Sequence, residues 1–281
     1  MNFITIERID WQYPVITEKY AYERVLNDHE LNKLDLNYFA IPWATIIDLY
    51  NKNFKGKQSL KSYIESLNIL QNVDKTIPSF TVIQTYHYKS LLDTFKALNI
   101  KTVFCPHVTK EEKKTILREN GIEIMPFQLY PVQECVPNRN KDLLYSFVGM
   151  VKYSDYSTNN KEVTKLRTKI LKLDHPSNTI VKARDHWHYN DVVYKHQVHG
   201  QSLSKEDIDT EKANSNDFRD ILERSRFSLC PRGIGPNSIR LWESLGAGAI
   251  PVLISDDLCL PEIGINWDTC ILKIKEEELE K

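Results

Sequence analysis

The chain has 281 residues, of which 41% are hydrophobic and 27% charged, with a formal net charge of -1. That length suggests two domains, and the apolar content excludes disorder as the main state. The balanced charge gives no electrostatic reason to expect nucleic-acid binding, and no apolar run approaches the roughly 20 residues that span a bilayer. The opening residues carry no basic stretch followed by a long apolar core, so no secretory signal is read there. Cys105, Cys135, Cys230, Cys259 and Cys270 are widely spaced, mostly in apolar runs and without metal spacing. They predict reduced core thiols in a cytoplasmic protein.

Before Tyr38 no sustained period appears, and there is no internal repeat or low-complexity segment. Tyr38–Trp43 is an extended apolar stretch. Residues 44–51 and 57–70 follow as helices, the first with Ile46, Ile47 and Tyr50 on one face. Residues 79–84 read as a buried strand, 89–98 as a helix and 101–105 as a strand stopped by Pro106. Thr109 offers a cap to a helix that Gly121 ends, and 122–125 is the next strand. Residues 126–141, with Pro126, Pro131 and Pro137, read as a linker. A second series begins at 143–149 (strand), 161–173 (helix) and 179–183 (strand). It continues with 217–226 (helix), 227–230 (strand), 237–245 (helix), 249–255 (strand) and 270–274 (strand). Such alternation argues for βαβ units and parallel sheets. Two α/β units of similar size, 1–138 and 139–281, predict two Rossmann-like domains.

Residues 224–261 read as strand, Gly/Pro loop, helix, glycine stop and strand. Arg232, Gly233, Gly235 and Pro236 form the loop, and Asn237 and Ser238 are capping residues at the helix entry. Unpaired N–H groups and the dipole at a helix N-terminus suit a phosphate, and Arg232 and Arg240 can fork onto its oxygens. Ile239, Trp242 and Leu245 recur at spacing three and are expected in the core. Arg240 and Glu243 share the other face, where a diphosphate could meet the cations and a ribose diol could meet Glu243. The alternative is a surface Arg240–Glu243 ion pair that only stabilises the helix.

These pieces resemble the carboxyl-terminal signature of the exostosin-type glycosyltransferases. The matching residues are Phe227–Pro231, Gly233, Arg240–Glu243, Gly248–Val252, Asp256 and Leu260–Pro261. Tyr145–Gly149 and Arg167 look like that family's opening strand and arginine, and Phe39–Trp43 matches loosely. The resemblance implies a GT-B fold, α/β, with two Rossmann-like domains facing across a cleft. The nucleotide-sugar would lie in the carboxyl-terminal domain and the acceptor mainly in the amino-terminal one. It implies an inverting transfer from a nucleoside-diphosphate sugar, with UDP first among the nucleotides, to a glycan acceptor in polysaccharide or surface-glycan synthesis. No metal and no resident cofactor are implied. That agrees with Asp155 and Asp185 standing alone, Asp256 and Asp257 being adjacent, and no clear strand-end Asp-x-Asp. The leaving diphosphate would meet Arg232, Arg240, the Asn237 and Ser238 amides and Arg167, and Glu243 would bind the ribose. Without a spanning segment or lumenal signal, the chain looks like a bacterial or viral member, cytoplasmic, with peripheral membrane association open.

An inverting transfer needs a group to take the acceptor's proton. His87 follows the 79–84 strand, at a carboxyl end where functional groups gather, and is the first candidate. His107 and Glu134 stand behind it. In Lys182–Tyr189, Arg184 and Trp187 are candidate sugar contacts, and His186 and His188 lack the further ligands a metal needs. A catalytically silent exostosin-like subunit that binds glycan or a partner is the alternative of another class. A dehydrogenase is disfavoured, since no G-x-G-x-x-G follows the first strand of either half.

Overall fold

The computed structural model describes residues 1–69, 73–137, 140–153, 158–185, 189 and 191–279. The boundary expected at 138 and 139, Asp155, and the His186, Trp187 and His188 cluster lie outside the described residues. Every strand pairing among the described residues is parallel, in two five-stranded sheets. The α/β class read from the alternating pattern is therefore present. The chain divides into two compact units: Met1–Tyr130 with Cys259–Glu262, and Pro131–Leu258 with Ile263–Lys281.

The first unit runs β1 (Asn2–Ile4), α1 (Thr17–Leu26), α2 (His29–Asn32), β2 (Asn37–Phe39), α3 (Trp43–Asn53) and α4 (Leu60–Ser66). It continues with β3 (Ser79–Val82), α5 (Leu92–Ala97), β4 (Ile100–Cys105), α6 (Lys110–Asn120) and β5 (Glu123–Pro126), and the sheet order is β1-β2-β3-β4-β5. Successive strand side chains point to opposite faces. Phe39, Ile41, Ile83 and Val103 meet Trp43, Ile47, Ile64 and Phe95 of the helices α3 to α5. Tyr38, Ala40 and Val82 take the other face and meet Ala21, Tyr22 and Val25 of α1. Fully burying one such side chain is worth roughly 1.5–3 kcal/mol. Thr109 and Glu112 close a reciprocal capping box on α6, and Gly121 ends that helix in the left-handed region at φ 63°. Cys259 returns to this unit, donating its N–H to the Val108 carbonyl at 3.1 Å, and Glu262 pairs with Lys113 at 2.7 Å.

The segment before Tyr38 holds a strand and two helices that periodicity does not reveal. β1 is three residues long, and α1 has Ile16 at its cap position, where no side chain caps it, and buries Thr17, Glu18 and Ala21 rather than an apolar stripe.

The second unit runs β6 (Leu143–Met150), α7 (Thr158–Lys172), β7 (Thr179–Arg184), α8 (Lys205–Arg224) and β8 (Ser225–Pro231). Then follow α9 (Ile239–Gly246), β9 (Ile250–Ile254) and β10 (Leu272–Lys273), and the sheet order is β10-β9-β8-β6-β7. The order reverses at β6, which lies between β7 and β8. Such a switch point opens a crevice at the carboxyl ends of the two strands beside it. α8 begins twelve residues before the expected 217, because Ser204 and Asp207 form a capping box ahead of a polar first half. Only its last turns carry the apolar residues Phe218, Ile221 and Leu222 that pack inward.

In the first unit, one buried carboxyl joins three elements. Glu18 accepts the N–H of Ala44 at 3.3 Å and of Gln84 at 3.0 Å, and its own N–H donates to Gln84 Oε1 at 3.1 Å. This ties α1 to the start of α3 and the end of β3. Burial pushes the carboxyl up to about 8, against the two N–H donors, which lower it. A raised acid holds its proton in the folded state where the unfolded chain has already lost it, so stability falls as pH rises through that window. From pH 7 to 9 the folding free energy should fall by about 1–2 kcal/mol from this group. Urea melts of Glu18→Gln should lack that slope, and an unchanged slope would assign it to another residue.

Candidate functional site

β6 and β8 deliver Gly149, Met150 and Pro231 to the switch point, and the loop from Arg232 to Ser238 connects β8 to α9. The loop is held at both ends. Arg232 N–H donates to the Ile254 carbonyl at 3.0 Å, and Ser255 Oγ donates to the Pro236 carbonyl at 2.7 Å. Asn237 is buried, and its Oδ1 accepts Ser238 N–H at 2.8 Å and Trp242 Nε1–H at 3.1 Å. Ser238 occupies the cap position of α9, yet its hydroxyl makes no capping bond. Neither of these two Asn237 bonds reaches a first-turn N–H of α9, so they do not supply the capping expected there, and the Ser238 amide is already occupied within the loop. The N–H groups of Gly233 and Gly235 have no hydrogen-bond partner among the described residues.

The arginines named from the sequence come together around this loop. Arg167, from α7, donates through Nε and Nη2 to the Arg232 carbonyl at 3.2 and 3.0 Å and through Nη1 to the Met150 carbonyl at 2.7 Å. Arg240 donates through Nη2 to the Val148 carbonyl. Its guanidinium carbon lies 4.9 Å from the Phe147 ring centre and 5.0 Å from that of Phe218. Two aromatic faces and a carbonyl thus hold a cation that is only 9% exposed. Arg232 pairs with Glu276 at 3.0 Å. By contrast, Arg167 and Arg240 have no carboxylate within ion-pair distance among the described residues. Burial pulls Arg240 down to about 10, and the neighbouring Arg167 charge pulls the same way.

The faces of α9 are the reverse of the expectation. Arg240, Leu241, Glu243 and Ser244 are buried, while Ile239, Trp242 and Leu245 are half-buried. The helix turns this way because Arg240 has a carbonyl and two aromatic rings to meet beneath it, and Ser244 Oγ bonds back to the Arg240 carbonyl at 2.6 Å. A surface Arg240–Glu243 ion pair is therefore overturned, since neither side chain is at the surface. Glu243 is 2% exposed, and its carboxylate has no hydrogen-bond partner among the described residues. Burial pushes it up to about 7, against the attraction of Arg240.

The proton-acceptor candidates separate. His87 is exposed and follows β3, its ring 4.0 Å from that of Tyr86. Desolvation, then the Lys55 charge, hold its imidazole below the ordinary value. His107 is 9% exposed, burial pushes it down to about 4, and its Nδ1 has no hydrogen-bond partner among the described residues. Glu134 is exposed and belongs to the second unit. Arg184 is engaged by Asp217 at 2.9 Å and by the Asn214 carbonyl at 3.2 Å. Phe218 and Glu276 escaped the sequence reading, because an apolar helix position and one glutamate in an acidic run carry no signal of a distant arginine.

The Exostosin GT47 domain model matches residues 97–281. A probable glucuronosyltransferase of Oryza sativa subsp. japonica is 40% identical over 74 residues, 26% of this chain and 17% of the relative. Another from the same plant, GUT1, is 35% identical over 74 residues, again 26% and 17% of the two chains. A probable glycosyltransferase of Arabidopsis thaliana is 33% identical over 64 residues, 22% of this chain and 14% of the relative. The matched stretches thus span about a sixth of these curated relatives.

A Cβ at Gly149 would lie 2.8 Å from Arg240 Nη2, whereas one at Gly233 would meet nothing nearer than 3.7 Å. Gly149→Ala should cost about 1–3 kcal/mol by overpacking, and Gly233→Ala should change stability little. Thermal melts of the two variants that coincide would show that Arg240 yields freely.

Proposed function

Because the chain belongs to the Exostosin GT47 domain family, a GT-B family, we propose that its second unit binds a nucleoside-diphosphate sugar. The chain then transfers the sugar, with inversion, to a glycan acceptor. UDP is the nucleotide we put first. The observation that supports this reading is that, among the described residues, Arg167 and Arg240 have no carboxylate partner and the nearby Gly233 and Gly235 amides have no acceptor.

A diphosphate seated on the loop meets those amides and Arg232, displacing the hold of Glu276. Arg167 and Arg240 act through their field, from fixed positions in a surrounding of low dielectric. Negative charge grows on the leaving oxygen in the transition state, so preorganised cations and N–H donors lower the barrier without a resident metal. Glu243 accepts from the ribose diol, which gives a buried carboxylate hydrogen-bond partners that it lacks among the described residues. His87, neutral at pH 7, takes the proton of the attacking acceptor hydroxyl.

Calorimetric titration of UDP with a chelator present should show binding. Loss of binding with chelator and its return with manganese would overturn the metal-independent reading. Ribose hydroxyls stabilise the ionised form of Glu243, which sits at about 7 in the free protein. Binding near that pH should therefore release a fraction of a proton and tighten as pH rises. Repeating the titration in buffers of different ionisation enthalpy measures this, and Glu243→Gln should abolish the release.

His87→Ala should slow transfer by about 10²–10⁴-fold and leave donor affinity unchanged. Single-turnover rates and a parallel UDP titration test both halves, and an unchanged rate would remove His87 from the mechanism.

A further inference from the structure

The first unit carries a cavity of about 520 Å³ on the α1 face of its sheet. It has no part in the nucleotide reading. Phe80, Phe104 and Phe127 line it from the sheet side, and Leu31 and Leu34 from the segment around α2. The last two are large apolar side chains left 38% and 46% exposed. The cavity exists because the helices are divided unequally. α3 to α6 pack on the Phe39, Ile83 and Val103 face, whereas α1 packs on Tyr38, Ala40 and Val82 of the other. Thr102 and Phe104 of β4 are among the residues left lining a groove.

The charge at this groove has one sign. Arg24 and Lys101 line it, and among the described residues no acidic side chain does. Glu23, the carboxylate adjacent to Arg24 in the chain, pairs with Lys19 instead, at 3.7 Å. Neither Arg24 nor Lys101 has an ion pair or side-chain hydrogen bond among the described residues. An apolar cavity in the usual volume range for small ligands, with convergent groups of one charge, asks for a molecule with the same division. We propose that the groove binds a single-chain lipid phosphate. Its hydrocarbon chain lies on the three phenylalanines, and its head group meets Arg24 and Lys101.

The probe is dodecyl phosphate, titrated into the full chain below its micelle-forming concentration and followed by calorimetry. Saturable one-to-one binding is expected, tighter than that of dodecanol, dodecyltrimethylammonium or inorganic phosphate. The double variant Arg24→Ala, Lys101→Ala alters exposed positions only and should weaken the phosphate by about two- to thirtyfold, leaving dodecanol unchanged. Thr102→Trp fills the groove and should abolish binding; if that variant does not fold, the double variant decides between the outcomes. Equal affinity for the phosphate and ammonium amphiphiles would overturn the head-group assignment. Undiminished binding in a folded Thr102→Trp, or binding to anionic vesicles with none to monomeric dodecyl phosphate, would overturn the cavity.

Discussion

A guanidinium out of water must find compensation for its lost hydration, and Arg240 finds it in a carbonyl and two aromatic faces rather than in a carboxylate. That choice fixes much of the second unit. The carbonyl belongs to Val148 in β6 and the rings to β6 and α8, so one side chain of α9 locks a helix to the edge of the switch point. It dictates glycine at 149, because a methyl group there would enter the space of the guanidinium. It also leaves Glu243, on the same face of α9, buried without being neutralised. Had the two side chains met as an ordinary ion pair, the site would be electrostatically closed. Instead it retains positive charge and a carboxylate whose proton is loosely held.

The two sheets differ in what they can offer a ligand. Strands that follow one another in order across the first sheet produce no reversal, whereas the second reverses at β6. The crevice there is a consequence of connectivity before any side chain is considered. The loop from Arg232 to Ser238 then gives it amides, and α7 gives it Arg167.

Much of this was legible in the residues. Thr109, Glu112 and Gly121 announce α6 at both ends, and β-branched runs announce the strands. The loop and its arginines were legible because glycine, proline and arginine in one short stretch have few other uses. The facing of α9 was not. Periodicity assigns apolar side chains inward by default, and it has no means of knowing that Phe147 and Phe218 wait beneath for a cation. α1 was hidden for a related reason: its inward face is Thr17, Glu18 and the small Ala21, and the two polar groups are satisfied by distant backbone that only the folded chain brings close.

The excursion of Cys259–Glu262 bears on how the chain can be divided. A fragment that stops at Tyr130 contains every strand of the first sheet, yet it lacks a piece of the first unit. The Val108 carbonyl would lose its donor, Lys113 its carboxylate, and the core beside Cys259 its cover. No single cut therefore yields the first unit intact. Its last contribution is also synthesised only after most of the second unit has been made, so the final form of the amino-terminal half is set late in the life of the nascent chain.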